Sequence, residues 1–190
     1  TLMVDVGYLW PDAKSCLEIV RDWKEFDIYF LETPIWSDNV GEMAKVAAEA
    51  VCTWVANQYG IPLTVIRICS TYGPEGGAPA DRLDAMLARR RIRLYPDRPN
   101  NYNPIYEDDY VRLAVRALRV AAPEPVVVNF AGSETVSAEE YCAYLGELVG
   151  RPALIRYDPA APWPIWPDVT RMHELLGRTK VPWREGFRRM

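Results

Sequence analysis

Short apolar runs alternate with segments of helical spacing along this chain. The apolar runs predict β-strands at 2–6, 26–31, 63–68, 92–95, 126–130 and 154–157. Apolar positions three and four residues apart predict helices at 41–59, 79–91, 108–121, 137–149 and 169–176, and another after Pro11. Such alternation is typical of an α/β fold with a mostly parallel sheet. We predict a single α/β domain over 1–190, a truncated Rossmann-like three-layer sandwich with a small C-terminal substrate-side region.

Helix-ending and loop-forming residues support these boundaries. Ser137 and Glu140 form a capping box that opens one helix, and Gly150 ends it. Residues 158–167 contain four prolines together with Trp163 and Trp166, which predicts an extended surface loop. Its aromatic side chains either pack onto the body of the protein or line the mouth of a ligand site.

Composition excludes several partner classes. The 190 residues carry a net charge of −4 with a pI near 5.2, and Arg89-Arg-Arg91 is too short a basic run to predict nucleic-acid binding. No run approaches the roughly 20 apolar residues that cross a bilayer, so we expect no membrane partner. The four cysteines lie far apart, which favours reduced thiols in a cytoplasmic protein.

The predicted helix at 41–59 and the strand after it carry the most informative motif. Lys45 begins the sequence Lys-Val-Ala-Ala-Glu, and the apolar strand that follows contains Arg67. This stretch resembles the active-site helix and following strand of the extended short-chain dehydrogenase/reductase family, the NAD(P)-dependent sugar epimerases and dehydratases. Further motifs of that family stand in the same order at 67–74, 103–109, 129–137 and 183–186, so the resemblance covers residues 40–190.

The resemblance implies roles for particular residues. Lys45 is the expected catalytic lysine, because a cation lowers the pKa of a tyrosine acid/base and binds the nicotinamide ribose. The expected cofactor is NAD or NADP, and the expected substrate is a small molecule such as a nucleotide sugar. The helix 41–59 is the expected homodimer contact. The implied ligand contacts are, for the cofactor, Lys45, Cys69, Ser70 and Tyr72, and for the substrate, Arg67 and Tyr106.

Two departures from the family pattern bear on activity. The family places its catalytic tyrosine four residues before the lysine, where this chain has Gly41. The glycine-rich turn that cradles the pyrophosphate at a helix N-terminus is also missing before Lys45. We therefore expect hydride transfer to be impaired in this chain. The alternative is a noncatalytic α/β scaffold or association module.

The first 36 residues suggest a different relationship. Residues 2–10 and 30–34 resemble two neighbouring strands of the enolase-superfamily barrel, the mandelate racemase-like enzymes. In that family an acidic residue ending each strand binds Mg²⁺, and the matching residues here are Asp5 and Glu32. We accordingly divide the predicted domain into an enolase-like β-α-β unit at 1–38 and a dehydrogenase-like portion at 39–190. The chain is then a chimera or a natural fragment, and a magnesium-dependent lyase or racemase fragment is the third alternative.

Overall fold

The computed structural model describes residues 2–5 and 40–190, with side chains from residue 44 onward. Six helices and nine strands lie in these ranges. The helices are α1 (Val40–Tyr59), α2 (Ala78–Leu87), α3 (Glu107–Arg119), α4 (Ala138–Val149), α5 (Thr170–Leu175) and α6 (Trp183–Arg189). The strands are β1 (Leu2–Asp5), β2 (Leu63–Ile68), β3 (Thr71–Tyr72), β4 (Ile92–Leu94), β5 (Asn101–Tyr102), β6 (Ile105–Tyr106), β7 (Val126–Phe130), β8 (Val136–Ser137) and β9 (Ile155–Tyr157).

Parallel pairing dominates the described strands. β2 lies between β1 and β7 in the longest sheet, and β1 runs parallel to β2, with Leu2 opposite Leu63 and Asp5 opposite Ile66. The pairs β3–β6 and β4–β9 are also parallel, whereas β5–β8 is antiparallel. Parallel strands joined through helices are the hallmark of α/β folds. The predicted fold class is therefore confirmed.

Contacts divide the chain into two compact units. The first comprises Thr1–Arg67 and Ala121–Val127, and the second comprises Ile68–Val120 and Val128–Met190. In the first unit, Ala56 of α1 packs with Leu63 and Val65 of β2, and all three side chains are fully buried. Small and β-branched residues at these positions let the helix approach the strand closely. The prediction of one domain over 1–190 stays a prediction.

The second unit has a larger core rich in aromatic residues. Phe187 of α6 stacks edge-to-face with Tyr72, Tyr141 and Trp183, with ring centroids 4.9–5.3 Å apart. Edge-to-face contacts of this kind stabilise aromatic pairs beyond the burial of their area. The last helix is consequently part of the core of the second unit.

Most predicted elements between residues 40 and 190 are confirmed. The strands predicted at 63–68 and 126–130 have those bounds, and Ser137 Oγ accepts a hydrogen bond from the Glu140 N–H at 3.1 Å, as the capping box requires. The helix predicted at 79–91 ends at Leu87, because the backbone turns through Arg89, whose φ is 53°. The elements predicted at 26–31 and after Pro11 lie outside the described residues.

Candidate functional site

The chain just after β2 is held at the carboxyl end of the strand. The Cys69 N–H donates to the Phe130 carbonyl of β7 at 2.9 Å, and the Ile105 N–H of β6 donates to the Ser70 carbonyl at 3.0 Å. Ser70 has φ 54°, in the left-handed region. Ligands of open α/β proteins bind at the carboxyl ends of strands. Cys69 and Ser70 therefore lie where the sequence predicts them to contact a cofactor, and that contact stays a prediction.

The left-handed backbone at Ser70 disfavours β-branched side chains, and substitutions can test this. Ser70→Val is expected to lower the free energy of unfolding by about 1–2 kcal/mol, because a β-branched residue is disfavoured there. Ser70→Asn is expected to leave stability unchanged or slightly higher, because asparagine tolerates this conformation. Urea denaturation of both variants checks the pair. Equal loss in both would show that the left-handed conformation is not the cause.

Tyr72 and Tyr106 lie inside the core of the second unit. Their ring centroids are 5.5 Å apart across the β3–β6 pair, and both rings are buried. The Tyr72 hydroxyl donates to the Trp183 carbonyl at 3.4 Å, and burial raises the pKa of this phenol. The buried Tyr72 ring is part of the core cluster. Contacts of Tyr72 with a cofactor and of Tyr106 with a substrate stay predictions.

Lys45 and Arg67 belong to the first unit. The Lys45 side chain is exposed on α1. Arg67 makes a two-pronged ion pair with Glu49, from Nε to Oε2 at 3.0 Å and from Nη2 to Oε1 at 2.6 Å, and the hydrogen bond to Glu49 raises the pKa of Arg67. The guanidinium is therefore largely occupied by Glu49. Its predicted role in substrate binding would require it to share that contact.

Residues 158–168, here called the strap, form a loop of the second unit that several contacts fasten to the rest of that unit. The Cys69 thiol donates to the Ile165 carbonyl at 3.6 Å, and burial raises the pKa of that thiol, which keeps it protonated. Asn129 Nδ2 at the end of β7 donates to the Asp168 carbonyl at 2.9 Å. The rings of Tyr95 and Trp163 stack with centroids 4.8 Å apart. The extended surface loop predicted here is confirmed.

A polar and aromatic wall adjoins the start of the strap. A depression of about 580 Å³ is lined by residues that include Arg98, Glu139 and Tyr157. The Arg98 guanidinium lies 4.5 Å from the centre of the Tyr157 ring. The fully buried Asn100 donates its N–H and its Nδ2 to the Glu139 carboxylate, each at 3.0 Å. The two bonds from Asn100 hold the Glu139 carboxylate in place. The Arg98 cation lies against the face of the Tyr157 ring.

A serine and histidine contact in the second unit was not predicted from sequence. His173 Nε2 lies 2.8 Å from Ser133 Oγ, and Arg178 Nη1 lies 3.3 Å from His173 Nδ1. A guanidinium only donates, so Nδ1 accepts and Nε2 carries the proton. Burial, followed by the Arg178 charge, lowers the pKa of His173 and favours this neutral form. His173 therefore donates to Ser133 and does not activate it as a nucleophile.

The structure describes only part of the predicted magnesium site. Glu32 lies outside them, and only the backbone of Asp5 is described, at the end of β1. Within the described side chains, no group of three His, Cys, Asp or Glu residues is arranged to hold a metal ion. Asp5 and Glu32 as Mg²⁺ ligands stay a prediction.

Three of the four cysteines lie among the residues that the structure describes. Cys52, Cys69 and Cys142 are free thiols. None of the described helices is both long and apolar enough to cross a bilayer.

Comparison with known proteins places this site in a family context. Residues 30–131 match the NAD dependent epimerase/dehydratase family. A dTDP-4-dehydro-6-deoxy-D-allose reductase of Streptomyces bikiniensis is 30% identical over 163 residues, covering 80% of this chain and 49% of the reductase. The chain thus spans about half the length of this curated relative. The family match begins inside the enolase-like segment, and the comparisons give the enolase resemblance no support.

Solved structures of proteins with known ligands have a fold similar to that of this chain. MoeE5 in complex with UDP-glucuronic acid and NAD has a TM-score of 0.67 at 22% identity, over 80% of this chain and 54% of its own. The UDP-glucuronic acid 4-epimerase of Bacillus cereus, in complex with UDP-glucuronic acid and NAD, has a TM-score of 0.68 at 22% identity, over 80% of this chain and 51% of its own. The shared architecture confirms the Rossmann-like fold prediction.

Proposed function

Because this chain belongs to the NAD dependent epimerase/dehydratase family, we propose that its second unit binds a nucleotide sugar. The observation that carries the proposal is the strap, which is fastened to the carboxyl ends of β2 and β7 through Cys69 and Asn129. Solved relatives hold UDP-glucuronic acid, and the curated relative is named for a dTDP sugar. A nucleotide sugar is therefore the substrate class that the family relationship favours.

The chemistry of the strap suits such a ligand. Trp163 is 69% exposed although it stacks on Tyr95, and Trp166 is 52% exposed, so both offer faces to a planar base. The Arg98 cation beside the strap lies on the Tyr157 ring and makes no ion pair within the described part of the chain. A cation and exposed aromatic faces together suit a ligand that combines phosphate with a base.

Trp163 provides the direct test of this proposal. Trp163→Ala is expected to weaken binding of UDP-glucuronic acid by roughly 5- to 150-fold, because base–aromatic stacking contributes about 1–3 kcal/mol. Trp163→Phe, which keeps an aromatic face, is expected to stay within about threefold of the parent protein. Isothermal titration calorimetry with UDP-glucuronic acid and with dTDP-glucose measures both. Absence of saturable binding of either ligand to the parent chain would refute the proposal.

We propose further that NAD-dependent hydride transfer is impaired in this chain. The described residues fit NAD only in part: Lys45 is exposed and available to a ribose, but the G-x-G-x-x-G spacing occurs nowhere in the sequence and Gly41 supplies no phenol. The expected result is nucleotide-sugar binding without conversion of UDP-glucuronic acid or dTDP-glucose to a product, as followed by chromatography after addition of NAD. Turnover at a rate typical of enzymes would contradict the impairment.

The third part of the proposal is a homodimer formed through α1. Among its described side chains only Ala56 is fully buried, whereas Ala47, Val51 and Val55 are half-buried and Trp54 is exposed. A helix that is apolar on several faces usually buries more than one of them. A dimer at micromolar concentration in sedimentation velocity is expected. A monomer under those conditions would exclude this contact.

A further inference from the structure

One surface of the second unit combines exposed leucines with exposed arginines. Three leucines protrude where α2 and α4 end and where β9 begins: Leu87, Leu148 and Leu154 are 45%, 45% and 49% exposed. Four exposed arginines stand beside them in the sequence. We call this surface the arginine–leucine patch, and its members are Leu87, Arg89, Arg90, Arg91, Leu148, Arg151 and Leu154.

Hydrogen bonds bring these separate segments together. Arg151 Nη1 donates to the Leu87 carbonyl at 2.6 Å, which joins the residue after α4 to the end of α2. The Ile92 N–H donates to the Leu154 carbonyl at 2.9 Å, which brings Leu154 next to the arginine run. A Cβ at Gly146 would lie only 3.0 Å from the Arg151 carbonyl oxygen, so this glycine lets residue 151 return close to α4. The patch is therefore one continuous surface.

The patch carries unneutralised positive charge. Neither Arg151 nor any of the arginines at 89–91 forms an ion pair with a carboxylate within the described residues. Two exposed carboxylates, Asp84 and Glu147, belong to the same helix ends, which leaves an excess of two positive charges. On a chain with a net charge of −4 this local excess is unusual. Salt screens charges over about 10 Å, so a partner bound at the patch interacts mainly with the charges of the patch and less with the net charge of the chain.

We propose that the arginine–leucine patch binds an acidic amphipathic helix of a partner protein. Leu87 and Leu148 end two neighbouring helices, so the surface between them suits a helix that inserts apolar residues spaced three and four apart. Glutamate or aspartate flanking those residues would complement the arginines. An anionic bilayer is a poorer fit, because it would face far more of this negatively charged chain than the patch covers. This inference is independent of nucleotide-sugar binding.

The test uses a fluorescein-labelled helical peptide built from leucine and glutamate, with leucine on one face. Saturable binding to the full chain is expected in fluorescence anisotropy. A peptide of the same composition in scrambled order and one with lysine replacing glutamate are expected not to bind. The double variant Arg90→Glu/Arg91→Glu is expected to lower affinity about tenfold, because each substitution replaces an attraction to the acidic peptide with a repulsion. Leu154→Ser is expected to lower it similarly through lost apolar burial.

A matched control distinguishes the effect of the patch on peptide affinity from the effect of net charge. Arg119→Glu/Arg171→Glu makes the same charge change at exposed arginines outside the patch, and its affinity is expected to stay within about twofold of the parent protein. Equal weakening by both double variants, or no saturable binding by the parent chain, would overturn the proposal. Patch-dependent binding to phosphatidylserine vesicles without peptide binding would also overturn it, by assigning the surface to a membrane.

Discussion

Asp109→Ala is expected to lower the free energy of unfolding by about 3–5 kcal/mol, the largest effect of any substitution considered for this chain. The Asp109 side chain is 2% exposed and accepts the backbone N–H groups of Lys180 and Val181, each at 2.7 Å. It also forms an ion pair with the Arg112 guanidinium. Removing the carboxylate leaves two backbone donors and a partly buried cation without their acceptor, and each loss is costly.

The neighbouring carboxylate is the control for this prediction. Asp108 pairs with Arg189 at 3.2 Å, and its side chain is 63% exposed. Asp108→Ala is expected to change the free energy of unfolding by less than about 1 kcal/mol, because solvent screens exposed ion pairs. Urea denaturation monitored by tryptophan fluorescence compares the two variants. Similar losses in both would show that Asp109 does not hold the 180–181 segment to α3.

Gly132→Ala is the second large effect, with an expected loss of about 3 kcal/mol or more in the free energy of unfolding. A Cβ at Gly132 would lie 2.1 Å from the Pro104 carbonyl oxygen and 3.2 Å from the Asn103 carbonyl carbon. Both are backbone atoms. Neither can withdraw easily, because the Gly132 N–H donates to the Asn103 carbonyl at 2.9 Å and Asn103 Nδ2 donates to the Gly132 carbonyl at 3.2 Å.

Gly150→Ala separates crowding from backbone conformation. Gly150 ends α4 with φ 66°, and a Cβ there would meet nothing within 4 Å. The expected loss is about 1–2 kcal/mol, from the left-handed backbone alone. Thermal denaturation of both variants gives the comparison. A Gly132→Ala protein as stable as Gly150→Ala would mean that the Pro104 segment moves to accept the methyl group.

Local elements could be predicted from sequence where local chemistry decides them. The strand at 63–68 and the helix start at Ser137 depend on residues within the same short segment, and the structure shows both. The two-residue strands β3, β5, β6 and β8 were not predicted, because only pairing with a distant segment makes them strands. Helix α2 ended earlier than its pattern suggested, because a left-handed residue at Arg89 turns the chain toward β4.

The candidate site also has features that the sequence predicts and features that only the structure shows. The sequence motifs around Arg67 and Tyr72 identified the family and pointed to the carboxyl end of β2. They could not reveal that Arg67 is engaged by Glu49, or that Tyr72 faces the aromatic core. Those facts depend on side-chain partners from elsewhere in the chain, 18 residues away in the case of Glu49.

The sequence by itself determined the longer strands and helices between residues 40 and 190, the family, and the absence of a tyrosine four residues before Lys45, because local spacing and residue type fix each of them. Tertiary structure alone decided that Cys69 and Asn129 fasten the strap, and that Asp109 binds the 180–181 segment. These contacts join residues from 39 to 96 positions apart. No pattern within a short window records them, since chain folding is what brings such residues together.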